Sequence, residues 1–542
     1  MTAATIDAGD GLPLTVPALL RARAAAQGAS VLLACDDDVL TYAEAERRSA
    51  ALARALLAVG AGKGTHVGIL HPNGSAFAVA WLAAARIGAV GVPISTFSKS
   101  GELRVLLRSA DVALLLSASA YRSHDYVRLL RETVPELDLG APPPLFADSL
   151  PALRHAAFVE PGASADPGWS LRALEERGLE LDANLLAAAE DAVSSADRLT
   201  IVHTSGSTGA PKGVIHTHGA LIRHLDNLNR IRRFVPGEVL FSNSPFFWIG
   251  GVAFSLLGTL VAGARLVCSN SPHAAGVLDV LERERPTLAN GFAQTVAHLP
   301  RDASFAQRDL SSIRRGNLFP ILAEDARPKS PDLRHGMLGM TESGSTCLLS
   351  EDESDQPEHR RGSFGKPAPG FEALIADPET GAACGPNEPG ELRLRGPFMM
   401  EGYYGRERHE VFDADGWFRT GDIVVRDAEG FFYFEGRRGD MIKTSGANVS
   451  PREVEAVIHD LTALTAHVIG LADAERGQLV AAALRVPSGR AVDVDQLRVQ
   501  LGARLSSYKV PRRFLLLADE AVPMLASGKL DRPALEALFH AE

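Results

Sequence analysis

The run Thr204-Ser205-Gly206-Ser207-Thr208-Gly209-Ala210-Pro211-Lys212-Gly213 concentrates hydroxyls, glycines and a lysine in one short segment. Glycines let the backbone approach a ligand and turn successive N–H groups inward. Such a concave row of donors binds anions. Ser205, Ser207 and Thr208 add hydroxyl donors, and Lys212 adds a mobile cation suited to phosphate. The implied chemistry is a grip on a polyphosphate. A flexible Ser/Gly linker has a similar composition, but Pro211, Lys212 and the preceding apolar run Leu199-Thr200-Ile201-Val202 do not suit one. The Walker pattern does not fit either, because Gly213 follows Lys212 where Ser or Thr is required.

Three later segments carry complementary groups. In Leu338-Gly339-Met340-Thr341-Glu342, Thr341 offers a hydroxyl to a phosphate. Glu342 offers a hard carboxylate oxygen, which Mg2+ takes together with phosphate oxygens. Alone, a Thr-Glu pair is most often a solvated surface feature. The segment Gly416–Asp422 ends in a carboxylate able to accept both hydroxyls of a ribose, although an aspartate in a β-turn would look the same. Phe246, Phe247 and Trp248 precede Gly250 and Gly251, an arrangement that can line an apolar cleft or serve as ordinary core.

These segments resemble the adenylate-forming superfamily of acyl-CoA synthetases, peptide-synthetase adenylation domains and beetle luciferase. The likeness extends over nearly the whole chain and is greatest to fatty-acid or other carboxylate–CoA ligases. It implies an α/β fold: a large N-terminal domain of stacked sheets covered by helices, residues 1–438, and a small mobile α+β domain, residues 439–542. It implies ATP and Mg2+, and CoA as co-substrate. The phosphates fall to Thr204, Ser205, Gly206, Ser207, Thr208, Gly209 and Lys212. Adenine and ribose fall to Gly316, Asn317, Leu338, Gly339, Asp422 and Arg437. Catalytic roles fall to Thr341, Glu342 and Lys529, with Glu342 on the metal. Lys529 lies in the terminal Ser527-Gly528-Lys529 motif. Phe247, Trp248, Gly250 and Gly251 line the acyl pocket. Lys443, Ser445, Gly446 and Ala447 match the CoA loop, and Gly439 is the hinge.

The chain departs from the family pattern at several of these positions. Trp248 stands where CoA ligases often have histidine, and Leu338 where an aromatic stacks on adenine. Gly316-Asn317-Leu318-Phe319-Pro320 replaces a turn of smaller residues, and Gly439 a more common Lys or Asp. Phe247–Val252 contains no acid to hold an amino group, which weighs against a peptide-synthetase adenylation domain. An acyl carrier protein as thiol acceptor, AMP-forming activation of a small oxyanion such as nitrite, and nucleotide binding without turnover stay open. So does a homodimer.

The totals agree with such a protein. With 542 residues, 46% hydrophobic and 22% charged, the chain is too long for one core. The formal charge of -11, with no basic block, excludes a general nucleic-acid binder. Cys35, Cys268, Cys347 and Cys384 fit neither a zinc spacing nor a disulfide framework. That spacing, with no secretory leader and no transmembrane run, predicts a cytoplasmic enzyme.

Several elements must position the chemistry. Thr41 and Glu44 form a capping box for a helix that runs to Gly60. Strands are expected at His66–Leu70, Val90–Pro93 and Val112–Leu116, and helices at Ala76–Ile87 and Gly219–Arg230. Apolar strands alternating with helices predict parallel sheets covered on both faces. Residues 135–200 are expected to be peripheral helices and connections. Ser450, Pro451 and Glu453 open a helix.

Overall fold

The computed structural model describes residues 11–204, 211–437, 441–487, 490–518, 521–523 and 530–541, with the side chains of Ala183, Gln294 and Arg437 left undescribed. The chain divides into two compact bodies. One comprises Met1–Thr96, Leu106–His203 and Gly213–Arg438, the other Phe97–Val105, Thr204–Lys212 and Gly439–Glu542.

Short apolar runs become strands buried on both faces. Among the described residues they build a seven-stranded sheet in the order Gly402–Tyr403, Lys212–Thr217, Arg198–Thr204, Val90–Pro93, His66–Leu70, Leu114–Ser117, His155–Phe158. The pairs from Arg198–Thr204 to His155–Phe158 are parallel, and Lys212–Thr217 pairs antiparallel with Gly402–Tyr403. A six-stranded sheet runs Arg315–Gly316, Leu288–Asn290, Val239–Ser242, Arg265–Cys268, Val31–Cys35, Asp38–Thr41, parallel up to its last hairpin. Helices shield the strands, as parallel sheets require. A four-stranded antiparallel sheet follows, in the order Glu372–Ala376, Gly390–Arg395, Phe418–Arg426, Phe432–Arg437.

Two expectations need correction. The strand expected at Val112–Leu116 runs Leu114–Ser117, because the Val112 N–H still caps the preceding helix through the Leu107 carbonyl. Residues 135–200 are not only peripheral. His155–Phe158 is a buried strand of the seven-stranded sheet, and the helix Leu171–Leu179 packs on the helix Tyr42–Ala58. A four-residue run of His-Ala-Ala-Phe is too short to show a period.

Local signals elsewhere have clear physical outcomes. The Thr41 hydroxyl accepts from the Glu44 N–H and the Glu44 carboxylate accepts from the Thr41 N–H, and Gly60 follows the helix C-cap Val59. The apolar helix Ser75–Arg86 is buried except at Ala76, and Arg86 explains how a charge ends it. Its guanidinium bonds both oxygens of Glu46 at 2.6 and 2.7 Å and Oε1 of Glu190 at 2.6 Å. Burial works against that charge, but the two carboxylates outweigh it and hold the Arg86 pKa above its ordinary value.

The second body has its own core under the strands Ala466–Asp473 and Gly477–Arg485, flanked by helices Pro451–Thr462 and Val494–Arg504. Ser450 sits at the N-cap of Pro451–Thr462, but its buried hydroxyl makes no capping bond. The segment Phe97–Val105, which opens the helix Ser100–Ser109, is tied to this body by Lys509, which bridges Glu102 and Glu453, each at 2.7 Å. Among the described residues no helix is long and apolar enough to cross a membrane.

The Arg86 network yields a stability prediction. Glu190→Ala removes one carboxylate from a guanidinium whose side chain is only 3% exposed. The loss expected is about 3–5 kcal/mol, as for other buried pairs broken on one side. A urea unfolding midpoint equal to the parent's would refute it.

Candidate active site

The two strands that flank the phosphate loop are neighbours in the seven-stranded sheet. Thr204 closes Arg198–Thr204 and Lys212 opens Lys212–Thr217. Ser205, Gly206, Ser207, Thr208 and Gly209 lie outside the described residues, as do Gly439 and Lys529.

In the larger body, Thr341 and Glu342 occupy a single turn, Thr341–Ser343, after the strand Leu338–Met340. The turn is held from below. His216, on the strand that leaves the phosphate loop, donates from Nε2 to the Thr341 carbonyl at 2.7 Å. Burial drives the His216 pKa down to about 4, so the ring is neutral and braces without adding charge. The Met400 N–H donates to the Glu342 carbonyl at 2.8 Å, and the Tyr403 hydroxyl donates to Glu342 Oε1 at 2.7 Å. Neither His216 nor Tyr403 was singled out from the sequence. The only signal for Tyr403 was a Gly-Tyr-Tyr triplet at the end of an apolar stretch.

Among the described residues no group of three or more His, Cys, Asp or Glu could hold a metal ion by itself. A hard divalent cation that rides on phosphates needs only one or two carboxylates. The half-buried Glu342 fits that demand, with Oε1 engaged by Tyr403 and Oε2 without a hydrogen-bond partner among the described residues.

Two of the expected nucleotide residues, Leu338 and Gly339, lie in the hairpin of Leu338–Met340 and Ser345–Leu349. Gly339 lies in its first strand. The Leu338 side chain is buried, and its carbonyl accepts from Cys347 Sγ at 3.4 Å. Burial, with the charge of Asp422 nearby, pushes the Cys347 thiol up to about 12. Asp422 is itself buried, and its backbone sits directly opposite Arg437 in the antiparallel pair Phe418–Arg426 and Phe432–Arg437. The two expected ribose contacts are therefore cross-strand partners. Gly316 and Asn317 share a cavity of about 60 Å³ with Asn290, Phe319, Gly336 and Met337. Gly316 has φ +110°, and a Cβ there would stand 2.0 Å from the Ala289 carbonyl oxygen. Only glycine fits. The Asn317 amide is already engaged, accepting from Asn290 Nδ2 and Gly291 N and donating to Gly291 O. It braces the turn, and a ligand there meets backbone.

The aromatic segment lies across the C-terminal ends of the six-stranded sheet, where open α/β sheets place ligands. Trp248 is half-buried and packs edge-on against Phe247 and Phe292, with centroids 5.2 and 5.3 Å away. Two asparagines pin the loop. Asn73 donates to the Ser244 carbonyl at 3.0 Å and accepts from the Phe246 N–H at 2.8 Å. The Asn243 side chain donates to the Phe292 carbonyl and the Thr295 hydroxyl. Residues Gly250–Leu257 then form a wide π-helix, a form common at functional sites. Its second residue, Gly251, must be glycine because a Cβ would stand 2.0 Å from the Pro245 carbonyl oxygen.

In the second body, Lys443, Ser445, Gly446 and Ala447 form one hairpin between strands Ile442–Thr444 and Ala447–Val449. Ser445 and Gly446 both have positive φ, +49° and +83°, the two-residue turn that matches strand twist. Lys443 is exposed on it.

Comparison with known proteins identifies the family. The family profile described as AMP-binding enzyme matches residues 20–404. Feruloyl-CoA synthase of Amycolatopsis sp is 30% identical over 506 residues, covering 91% of this chain and 92% of that protein. The mitochondrial medium-chain acyl-CoA ligase ACSF2 of Rattus norvegicus is 28% identical over 511 residues, covering 91% and 82%. The amide bond synthetase McbA of Marinactinospora thermotolerans has the same fold, with a TM-score of 0.75 at 24% identity over 96% of this chain and 99% of McbA. The chain belongs to the AMP-binding enzyme family, and so to the adenylate-forming superfamily.

Proposed function

We propose that the chain is an AMP-forming acid–CoA ligase: it activates a carboxylic acid with ATP and passes the acyl group to CoA, releasing AMP and pyrophosphate. The observation that carries this reading most directly is the tie between the metal-type carboxylate and the phosphate loop. Glu342 is bonded to Tyr403, whose strand pairs with the strand leaving that loop. Two relatives with CoA ligase names, feruloyl-CoA synthase and a medium-chain acyl-CoA ligase, support CoA as the thiol.

In the first step a carboxylate oxygen of the acid attacks the α-phosphorus of ATP and the bond to pyrophosphate breaks. The loop Thr204–Gly209, Lys212 and Thr341 hold the phosphates in line, and Asp422 and Arg437 hold the ribose. Gly316, Asn317, Leu338 and Gly339 seat the adenine by backbone and apolar contact. Glu342 would hold Mg2+, which when bound neutralises phosphate charge. Lys529 places a further positive charge between the acid and the α-phosphate. Phosphoryl chemistry of this kind is mainly alignment and charge stabilisation. In the second step the sulfur of CoA attacks the acyl carbon of the adenylate and AMP leaves. Rotation of residues 439–542 about Gly439 exchanges Lys529 for the hairpin of Lys443, Ser445, Gly446 and Ala447, and closure keeps water off the anhydride. The enzyme is proposed to work in the cytoplasm on an apolar acyl or aryl acid such as a fatty acid, seated against Phe247 and Trp248 beside Gly250 and Gly251.

Three experiments test this. Pyrophosphate exchange, scanned over aliphatic, aromatic and sterol acids, should select a class of acid, and AMP release should need CoA rather than a carrier protein. Lys529→Ala should lower exchange by roughly 10²–10³-fold, the effect of removing one charge-stabilising donor, yet still thioesterify supplied acyl-adenylate. Flat AMP release across all acids would reject the ligase assignment. Trp248→Ala should raise the kcat/KM ratio of a longer over a shorter acid by roughly tenfold or more, as one methylene in an apolar pocket can. An unchanged ratio would place Trp248 away from the acyl chain.

A further inference from the structure

We infer that Tyr403 is a positioning residue for Glu342, fixing one carboxylate oxygen so that the other is presented in a single direction to the cation that accompanies ATP. The inference rests on the ATP reading above.

Tyr403 is 7% exposed, and its hydroxyl stands 2.7 Å from Glu342 Oε1. A hydrogen bond to a charged oxygen is shorter and roughly twice as strong as a neutral one. The ring cannot drift, because its backbone is woven into the sheet. Tyr403 sits opposite Val214, the Glu401 N–H donates to the Ile215 carbonyl at 2.9 Å, and the Tyr404 N–H donates to the Gly213 carbonyl at 2.8 Å. The Met400 N–H takes the Glu342 carbonyl at 2.8 Å. One short run, Met400–Tyr404, therefore holds both the main chain and the side chain of Glu342. The same run is bonded to the residues that follow the phosphate loop. Any displacement of that strand carries the carboxylate with it.

The physical benefit is orientation. Mg2+ demands near-octahedral geometry. A carboxylate free to rotate about its terminal torsion, which is broad, would meet that geometry only part of the time. With Oε1 held, Oε2 has one place to be. Groups that orient metal ligands in this way typically change metal affinity by 10–100-fold when removed. A Tyr403 that served only to fill space would do so equally well as phenylalanine, which retains the ring and loses the hydroxyl.

The test is a Mn2+ titration followed by electron paramagnetic resonance on the full chain with α,β-methylene-ATP. Tyr403→Phe should weaken cation binding roughly tenfold, while metal-free nucleotide affinity and the KM for the acid stay as in the parent. In exchange assays the KM for MgATP should rise. The same substitution in a Glu342→Gln background should cause no further loss, because the hydroxyl acts through the charged carboxylate. A loss of stability alone would appear in both backgrounds, so equal losses in the two would overturn the inference. So would parent-like cation affinity in Tyr403→Phe. A parent chain that binds neither Mn2+ nor nucleotide would overturn the ATP reading itself. A parent that binds both and ignores the hydroxyl overturns only the role of Tyr403.

Discussion

A carboxylate and a triphosphate repel each other, and this repulsion is the constraint around which the chain is built. Two unit charges 4 Å apart interact by about 1 kcal/mol in water and about 4 kcal/mol at the lower effective dielectric near a protein surface. Several charges meet in the proposed reaction, so cations and dipoles must already be in place. Lys212, the loop before it, Lys529 and a cation on Glu342 would supply that compensation. Each is weak unless oriented in advance, and preorganisation is what a folded sheet provides.

The sheets explain how distant residues acquire common geometry. Thr204 and Lys212 end and begin neighbouring strands, so the sheet brings these two residues close. Lys212–Thr217 then pairs with Gly402–Tyr403, bringing in a segment nearly two hundred residues away. His216 and Tyr403 extend from those strands to the Thr341–Glu342 turn. Asp422 and Arg437 face each other by strand register alone. The aromatic segment is pinned at its start, where Asn73 bonds Ser244 and Phe246 and Asn243 bonds the Phe292 carbonyl.

Much of this architecture was legible in the residues and some was not. His66–Leu70 and Val90–Pro93 could be read because fully buried parallel strands are continuous apolar runs between turn signals. The Thr41–Glu44 box could be read because capping is local. His155–Phe158 could not, because a short edge strand has no period to detect. The bracing residues were hidden for a different reason. A tyrosine, a histidine or an asparagine has no sequence signature for a partner 60 or 170 positions away, and Tyr403, His216 and Asn73 act only through such partners. Ser450 shows the converse. Its residue type suits an N-cap, yet tertiary burial leaves its hydroxyl unused.

The departures from the family pattern follow the same logic of bracing. The turn at Gly316 lacks the small residues usual there, and of the larger ones Phe319 lines the same small cavity as Gly316 and Asn317. Leu318 is fully buried in a core with Ile313, Ile321 and Leu322. Asn317 closes an amide ladder with Asn290 and Gly291. Small residues make such a turn narrow by occupying little space. Here Leu318 and the Asn317 amide are engaged elsewhere, while Gly316 must still be small. Leu338 fits the same picture, since its carbonyl is bonded to Cys347 and its side chain is buried in the core that carries the hairpin. An adenine ring lying here would be held by the shape of the backbone cleft and by apolar contact instead of aromatic stacking. On the proposed reading, nucleotide binding would depend less on the base and more on the phosphates and ribose, which would raise the demand on the orientation of Glu342.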